Sequence, residues 1–282
     1  MSRELNYRPE IDGLRTIAIL GVIIFHLNPS LLKGGFLGVD VFFCISGFLI
    51  TTIIYRQVRE QRFTFWGFWK RRFKRLYPAL VFVVTVTMAI GLFVLPQPER
   101  GALPMQAASA LFSFANIFLW RTTDGYWSPA SENISLLHTW SLSLEEQFYF
   151  FFPIFIFLCY IFAREKIGKL TFALFVLSLL LCVYLTDNYR SAAFYLLPTR
   201  MWELLIGGLL AIYGSPFPRA WRSAGIATFI HLTGLALIVL SYFTIGNNER
   251  FPSYYPIVPC LGTFLLLALR SEQSLVTRLL SI

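Results

Sequence analysis

His138-Thr139-Trp140-Ser141-Leu142-Ser143-Leu144-Glu145-Glu146-Gln147-Phe148-Tyr149 opens an apolar run that continues to residue 163 with two adjacent carboxyl groups at its mouth. A helix needs about 20 mostly apolar residues to cross a bilayer, and this run supplies them. A charged residue at the centre of such a helix costs roughly 2.5–3.5 kcal/mol on insertion scales, so carboxyl groups here point to a bundle interior or a watery cavity. Working outward, stretches without Asp, Glu, Lys or Arg recur at 16–32, 76–97, 101–120, 170–186, 204–218, 223–248 and 251–269.

Hydrophobic residues make up 56% of the 282-residue chain and charged residues only 14%, against about 25% charged in an ordinary soluble domain. The expected fold is an all-α polytopic membrane bundle of eight or nine transmembrane helices, one domain over 1–282 with no soluble domain. The approximate spans are 14–31, 36–55, 77–96, 102–120, 142–163, 169–186, 194–213, 224–244 and 254–270. A net charge of +9 raises the question of a nucleic-acid partner. The basic residues instead cluster in short loops, as the positive-inside rule requires, so nucleic acid is excluded. Cys44, Cys159, Cys182 and Cys260 all lie in apolar runs without metal-ligand spacing and read as packing residues. Glu4, Glu10 and Asp12 precede the first apolar run and no small-residue cleavage site follows it, so the amino terminus reads as an anchor.

The loop after the second span carries Arg56, Arg59, Arg62, Lys70, Arg71, Arg72, Lys74 and Arg75 against Glu60 alone. That places it, and with it the amino terminus, in the cytoplasm. If segment 102–120 does not cross, 18 Lys and Arg fall inside and 6 elsewhere; if it crosses, the split is 15 to 9. The first arrangement, with 102–120 re-entrant or interfacial, fits the rule better.

Several polar residues sit where hydrocarbon is expected. Arg15 and His26 are within about 20° of one face of the first span, and about 16 Å apart along it. Asp12 lies near the same face. His26 reads as a candidate base, the alternative being a histidine satisfied by a neighbouring carbonyl. Asp40, near the outer end of the second span, either orients His26 or caps its own helix. Gly38 and Gly47 read as close-packing positions rather than phosphate binders. Arg72 and Arg75 lie one turn apart and suit phosphate oxygens, although basic residues at an inner boundary also serve as topology signals and contacts for anionic membrane lipids. Ser141, Glu145 and Tyr149 form one stripe, with Glu146 about 100° away. The carboxyl groups take unlike roles or simply hold Trp140 or His138 in place. Arg200 and Glu203, at i, i+3, read as an internal ion pair. His231 has no evident partner. Asn133-Ile134-Ser135 matches a glycosylation sequon only weakly.

Taken together, these motifs resemble membrane-bound acyltransferase family 3, bacterial O-acyltransferases of cell-envelope glycans. The resemblance rests on Tyr7-Arg8-Pro9-Glu10-Ile11-Asp12-Gly13-Leu14-Arg15, His26, Gly34-Gly35-Phe36-Leu37-Gly38-Val39-Asp40-Val41-Phe42-Phe43, Ile45-Ser46-Gly47-Phe48-Leu49-Ile50-Thr51, the Arg72-Phe73-Lys74-Arg75 pair and His138–Tyr149. It is similar in particular to the subgroup acetylating lipopolysaccharide O-antigen. The resemblance implies acyl-CoA, specifically acetyl-CoA, as donor substrate with no permanent cofactor or metal, a glycan hydroxyl as acceptor, and the bacterial inner membrane as location. It implies His26, Asp40 and Glu145 as catalytic, and Arg15, Arg72 and Arg75 as holding donor phosphates. His138, Trp140, Ser141, Glu146, Arg200 and Glu203 are then expected to position substrate. Family members have about ten helices and often a carboxy-terminal SGNH-hydrolase-like domain. The chain thus reads as carboxy-terminally incomplete, with a downstream polypeptide as a candidate partner. The competing readings are a proton-coupled transporter or flippase using the same buried charges, and an inactive or partner-dependent fragment. Against transport, no paired Gly/Pro-broken segments recur in matching halves.

Overall fold

The computed structural model describes residues 7–128, 131, 133–246 and 250–281. Arg3, counted above among the inner charges, lies outside them. Twelve α-helices are described: α1 (Pro9–Leu27), α2 (Gly38–Arg59), α3 (Phe65–Val94), α4 (Gln97–Leu111), α5 (Ala115–Thr122), α6 (Thr139–Phe162), α7 (Ile167–Asn188), α8 (Arg190–Tyr195), α9 (Leu197–Tyr213), α10 (Ala224–Thr244), α11 (Ile257–Ala268) and α12 (Leu275–Leu280). No strand occurs among the described residues. Among the described residues, six stretches are long and apolar enough to cross a membrane, namely Gly35–Arg59, Phe65–Val94, Thr139–Phe162, Arg164–Asn188, Arg190–Tyr213 and Ala224–Thr244. The all-α polytopic class expected from hydropathy is therefore the observed one.

The helices refine the nine expected spans in four places. The first begins at Pro9, because proline is pre-set for the first helical turn and Glu10 and Asp12 suit the positive end of the helix dipole. The last, α11, is only 12 residues long. Segment 102–120 is not one helix: it breaks at residues 112–114 into α4 and α5, with Ser113 at φ 59°. Neither piece is long enough to span on its own. Segment 194–213 breaks at Leu196, and Pro198 then sits in the first turn of α9, where its missing N–H costs nothing.

The chain divides into two compact units. The first comprises 1–52, 203–249 and 254–282, the second 53–202 and 250–253, and the divisions fall inside α2 and α9. In the first unit, α10 packs along α11, and α1 packs against α12 and the short 3₁₀ turn Gly35–Leu37. Close approach depends on missing side chains. A Cβ at Gly47 would collide with the Leu204 carbonyl, and one at Gly207 with the Cys44 carbonyl, so α2 and α9 touch backbone to backbone. Small residues do this work between membrane helices, where lipid is as apolar as any core. Gly38 likewise rests on the Ala18 carbonyl. Gly47→Leu is expected to cost roughly 3 kcal/mol or more, since backbone on both sides must move. Size-exclusion chromatography in detergent checks it: the variant should elute aggregated or be lost, whereas Ser46→Ala should elute like the parent.

In the second unit, α6 is the hub, touching α3, α4, α5, α7 and α8. A buried cluster of Leu80, Val84, Ala107, Ala110, Ala115 and Leu136 joins α3 to α4 and α5. All four cysteines are buried.

Candidate active site

In the first unit the polar residues are ordered by α1. Its buried stripe is Ile11, Leu14, Ala18, Gly21 and Phe25. His26 follows Phe25 and is turned about 100° off that stripe. It is exposed, which corrects the expectation of a buried imidazole. Its Nδ1 lies 2.8 Å from the Val22 carbonyl oxygen, and the Phe25 ring stands edge-on at 5.4 Å. A carbonyl oxygen only accepts, so Nδ1 carries the proton. In the neutral ring Nε2 therefore holds the basic lone pair. Of the two sequence readings of His26, the contact with a neighbouring carbonyl is the one observed.

Asp40 is buried, in the first turn of α2. The amino end of a helix favours a carboxylate there. At the other end of α1, Arg15 pairs with Asp12 at 3.2 Å, and the Tyr7 hydroxyl donates to the second Asp12 oxygen at 2.7 Å. Asp12 and Arg15, which periodicity sets near one face, are thus an ion pair. Arg8 bonds Glu10 at 2.7 Å and donates to the Leu267 carbonyl, a clasp between the first turn of α1 and α11.

His231, without a partner in the sequence reading, is buried and fully engaged. Nε2 donates to the Leu269 carbonyl at 2.7 Å, so Nδ1 accepts from Ser274 (2.8 Å) and Thr277 (3.2 Å). Its partners lie 38 to 46 residues downstream, a separation that hides them from any local reading. It ties α10 to α12 structurally.

In the second unit the Glu145-Glu146-Gln147 run is divided by helical geometry, each residue turned about 100° from the last. Glu145 accepts a hydrogen bond from the Tyr149 hydroxyl at 2.8 Å. Glu146 accepts from the Ser113 hydroxyl at the break between α4 and α5. Gln147 donates to the Ser113 carbonyl (2.9 Å) and to Asn116 Oδ1 (2.8 Å), while Asn116 donates to the Tyr195 carbonyl at 3.0 Å. Ser143 accepts from the Ala115 N–H at 3.2 Å. The left-handed turn at Ser113 is held against α6 by this lattice, which the sequence announces only through Ser113 and Asn116 in an uncharged run. Asn116 is completely buried. Asn116→Leu, removing one hydrogen-bond partner from Gln147 and one from the Tyr195 carbonyl, is expected to cost about 1–3 kcal/mol. A thermal melt in detergent should show the midpoint lowered by several degrees.

Arg72 is half-buried, its guanidinium 5.8 Å from the Phe68 ring centre and 5.9 Å from that of Tyr149. Arg75, one turn on, is exposed. Arg72 is within electrostatic range of Arg75 and Glu145. The structure thus brings Arg72, Arg75, Glu145 and Tyr149 together. Nearby, the Arg62 and Arg56 guanidinium groups hold the exposed Glu60 carboxyl below its ordinary value, so the one acid of the basic loop stays neutralised by its neighbours.

Arg200 and Trp140 sit around a different centre of the same unit, whereas Glu203 belongs to the first unit. Arg200 is buried, with its guanidinium 5.4–5.8 Å from the rings of Trp140, Phe194 and Phe251. Tyr126 stacks on Phe194 at 4.8 Å, and burial pushes its phenol up to about 12. Trp140 is therefore a wall of an aromatic enclosure around Arg200, a role carried by ring faces. Glu203 is buried on α9 three residues beyond Arg200. His138 is exposed at the entry to α6, and Ser141 donates to its carbonyl at 3.3 Å.

A polytopic helical protein with a tautomer-fixed imidazole in one unit and a guanidinium–phenol–carboxylate cluster in the other belongs among membrane-embedded proteins with ionisable groups set for chemistry or transport. Sequence comparison resolves which. The acyltransferase domain family matches residues 8–281, and the chain belongs to that family. O-acetyltransferase OatA of Staphylococcus aureus strain NCTC 8325 is 34% identical over 257 residues, 87% of this chain and 42% of that protein. OatA of strain N315 matches to the same extent. A protein of strain MSSA476 with a provisional O-acetyltransferase name is 31% identical over 296 residues, 99% of this chain and 48% of its own length. The chain spans less than half the length of these relatives. No solved structure matches it.

Proposed function

We propose that the protein moves an acyl group, in particular acetyl, from acyl-CoA to a hydroxyl of a cell-envelope polysaccharide such as lipopolysaccharide O-antigen. The observation that carries this reading is the Nδ1 hydrogen bond of His26, which leaves Nε2 as the base. The family match and the relatives' names support acyl transfer to oxygen.

In this reading Nε2 takes the proton of the glycan hydroxyl as its oxygen attacks the thioester carbonyl. The tetrahedral intermediate collapses, the carbon–sulfur bond breaks, and the imidazolium returns its proton to the departing thiolate. Ester and free CoA result, with no redox partner needed. Asp40 balances the imidazolium charge. Arg72 and Arg75 hold donor phosphates, for which guanidinium forks are suited. Glu145 positions the acceptor. The eight basic residues of loop 56–75 support a cytoplasmic location for that loop and for the amino terminus.

Membrane vesicles given acetyl-CoA labelled in the acetyl group, together with the glycan acceptor, test this against transport. Label entering glycan supports acyl transfer. Glycan or donor crossing the membrane chemically unaltered would instead establish a carrier.

A further inference from the structure

Two groups given separate duties above, a phosphate-binding arginine and an acceptor-positioning carboxylate, share one physical connection. Tyr149 presents its ring face to the Arg72 guanidinium at 5.9 Å and its hydroxyl to Glu145 Oε2 at 2.8 Å. Phe68 offers a second face to the same guanidinium at 5.8 Å. The helix backbone that carries the ring is held as well. Trp69 Nε1 donates to the Tyr149 carbonyl at 3.2 Å, and the Trp69 indole stacks on Phe150 at 4.9 Å with 13° between planes. Phe65 packs edge-on against Phe157 at 5.2 Å, fixing the start of α3 along α6.

We infer that Tyr149 is a positioning residue that sets Arg72 for the donor and Glu145 for the acceptor as one unit, an inference that rests on the functional reading above. The two ends of the side chain act by different physics. The face attracts a cation through the ring quadrupole and keeps the guanidinium edge turned outward for phosphate. The hydroxyl, at the opposite edge, supplies a charge-assisted hydrogen bond that fixes one carboxylate oxygen. Burial of the aromatic body makes the pair rigid, since the ring has two torsions to hold and packing holds both. An anion drawn to Arg72 therefore meets a guanidinium whose angle is tied, through one ring, to the angle of Glu145.

The two ends separate experimentally. Tyr149→Phe keeps the face and loses the hydroxyl. It should lower kcat about tenfold, the worth of one such hydrogen bond, with the donor KM nearly unchanged. Tyr149→Leu loses both and should in addition raise the donor KM by about three- to tenfold, the range of an aromatic cation contact. Both are measured in proteoliposomes with labelled acetyl-CoA, beside Arg72→Ala, with kcat referred to protein that elutes monodisperse in detergent. A purely structural tyrosine would lower the amount of such protein and leave kcat and KM of the remainder as in the parent. That result, or identical effects of the Phe and Leu variants on both constants, overturns the inference. If Arg72→Ala itself leaves the donor KM unchanged, it is the donor-site assignment that falls.

Discussion

His26→Ala is expected to abolish acylation of envelope glycan, by about 10²–10⁴-fold at least, while the protein remains folded in the membrane. The first part follows from the hydrogen bond between Nδ1 and the Val22 carbonyl, which commits the imidazole to the tautomer with a basic Nε2. The second follows from the packing of α1. His26 is exposed and lies off the buried stripe of Ile11, Leu14, Ala18, Gly21 and Phe25, so truncating it empties no core. Loss of activity with an unchanged elution profile and melting midpoint is the expected pair of observations. Normal glycan acylation by the variant would remove histidine from the mechanism.

Arg72→Ala should weaken acyl-CoA binding by about 10–100-fold, the equivalent of one lost charge-assisted contact of roughly 1.5–3 kcal/mol. Arg75→Ala should do the same to a smaller degree, because Arg75 is exposed and water competes for it, whereas Arg72 is partly withdrawn between two rings. Raising the salt concentration should narrow the Arg75 effect more than the Arg72 effect. Titration of CoA against purified protein in detergent measures this directly. Unchanged affinity in both variants would return the pair to a topological role.

Much of the fold is legible in the sequence because a membrane imposes its length scale on it. Predominantly apolar runs of the right length mark α2, α3, α6, α7 and α10. Less legible are the places where backbone geometry is decided by distant contacts. The break between α4 and α5 depends on Ser113 adopting φ 59°, a conformation held by Glu146 and Gln147 more than thirty residues away. A hydropathy window cannot register it. The division of Glu145 and Glu146 between different partners was readable, since adjacent helical residues diverge by about 100°. Which partners they find was not. Exposure of His26 is hidden for a related reason. Periodicity sets Phe25 and His26 about 100° apart on α1, but only the packed helix decides which of them is covered. Arg200 shows a third limit. The i, i+3 spacing draws attention to Glu203, while the rings of Trp140, Phe194 and Phe251 come from three separate stretches of chain.

The most direct measurement is mass analysis of the envelope polysaccharides from cells carrying the intact gene, the His26→Ala gene or neither. Acyl transfer dependent on this imidazole predicts that the polysaccharide gains the mass of one or more acyl groups only with the intact gene. An unmodified polysaccharide in all three, or equal modification by the intact and His26→Ala genes, would contradict it.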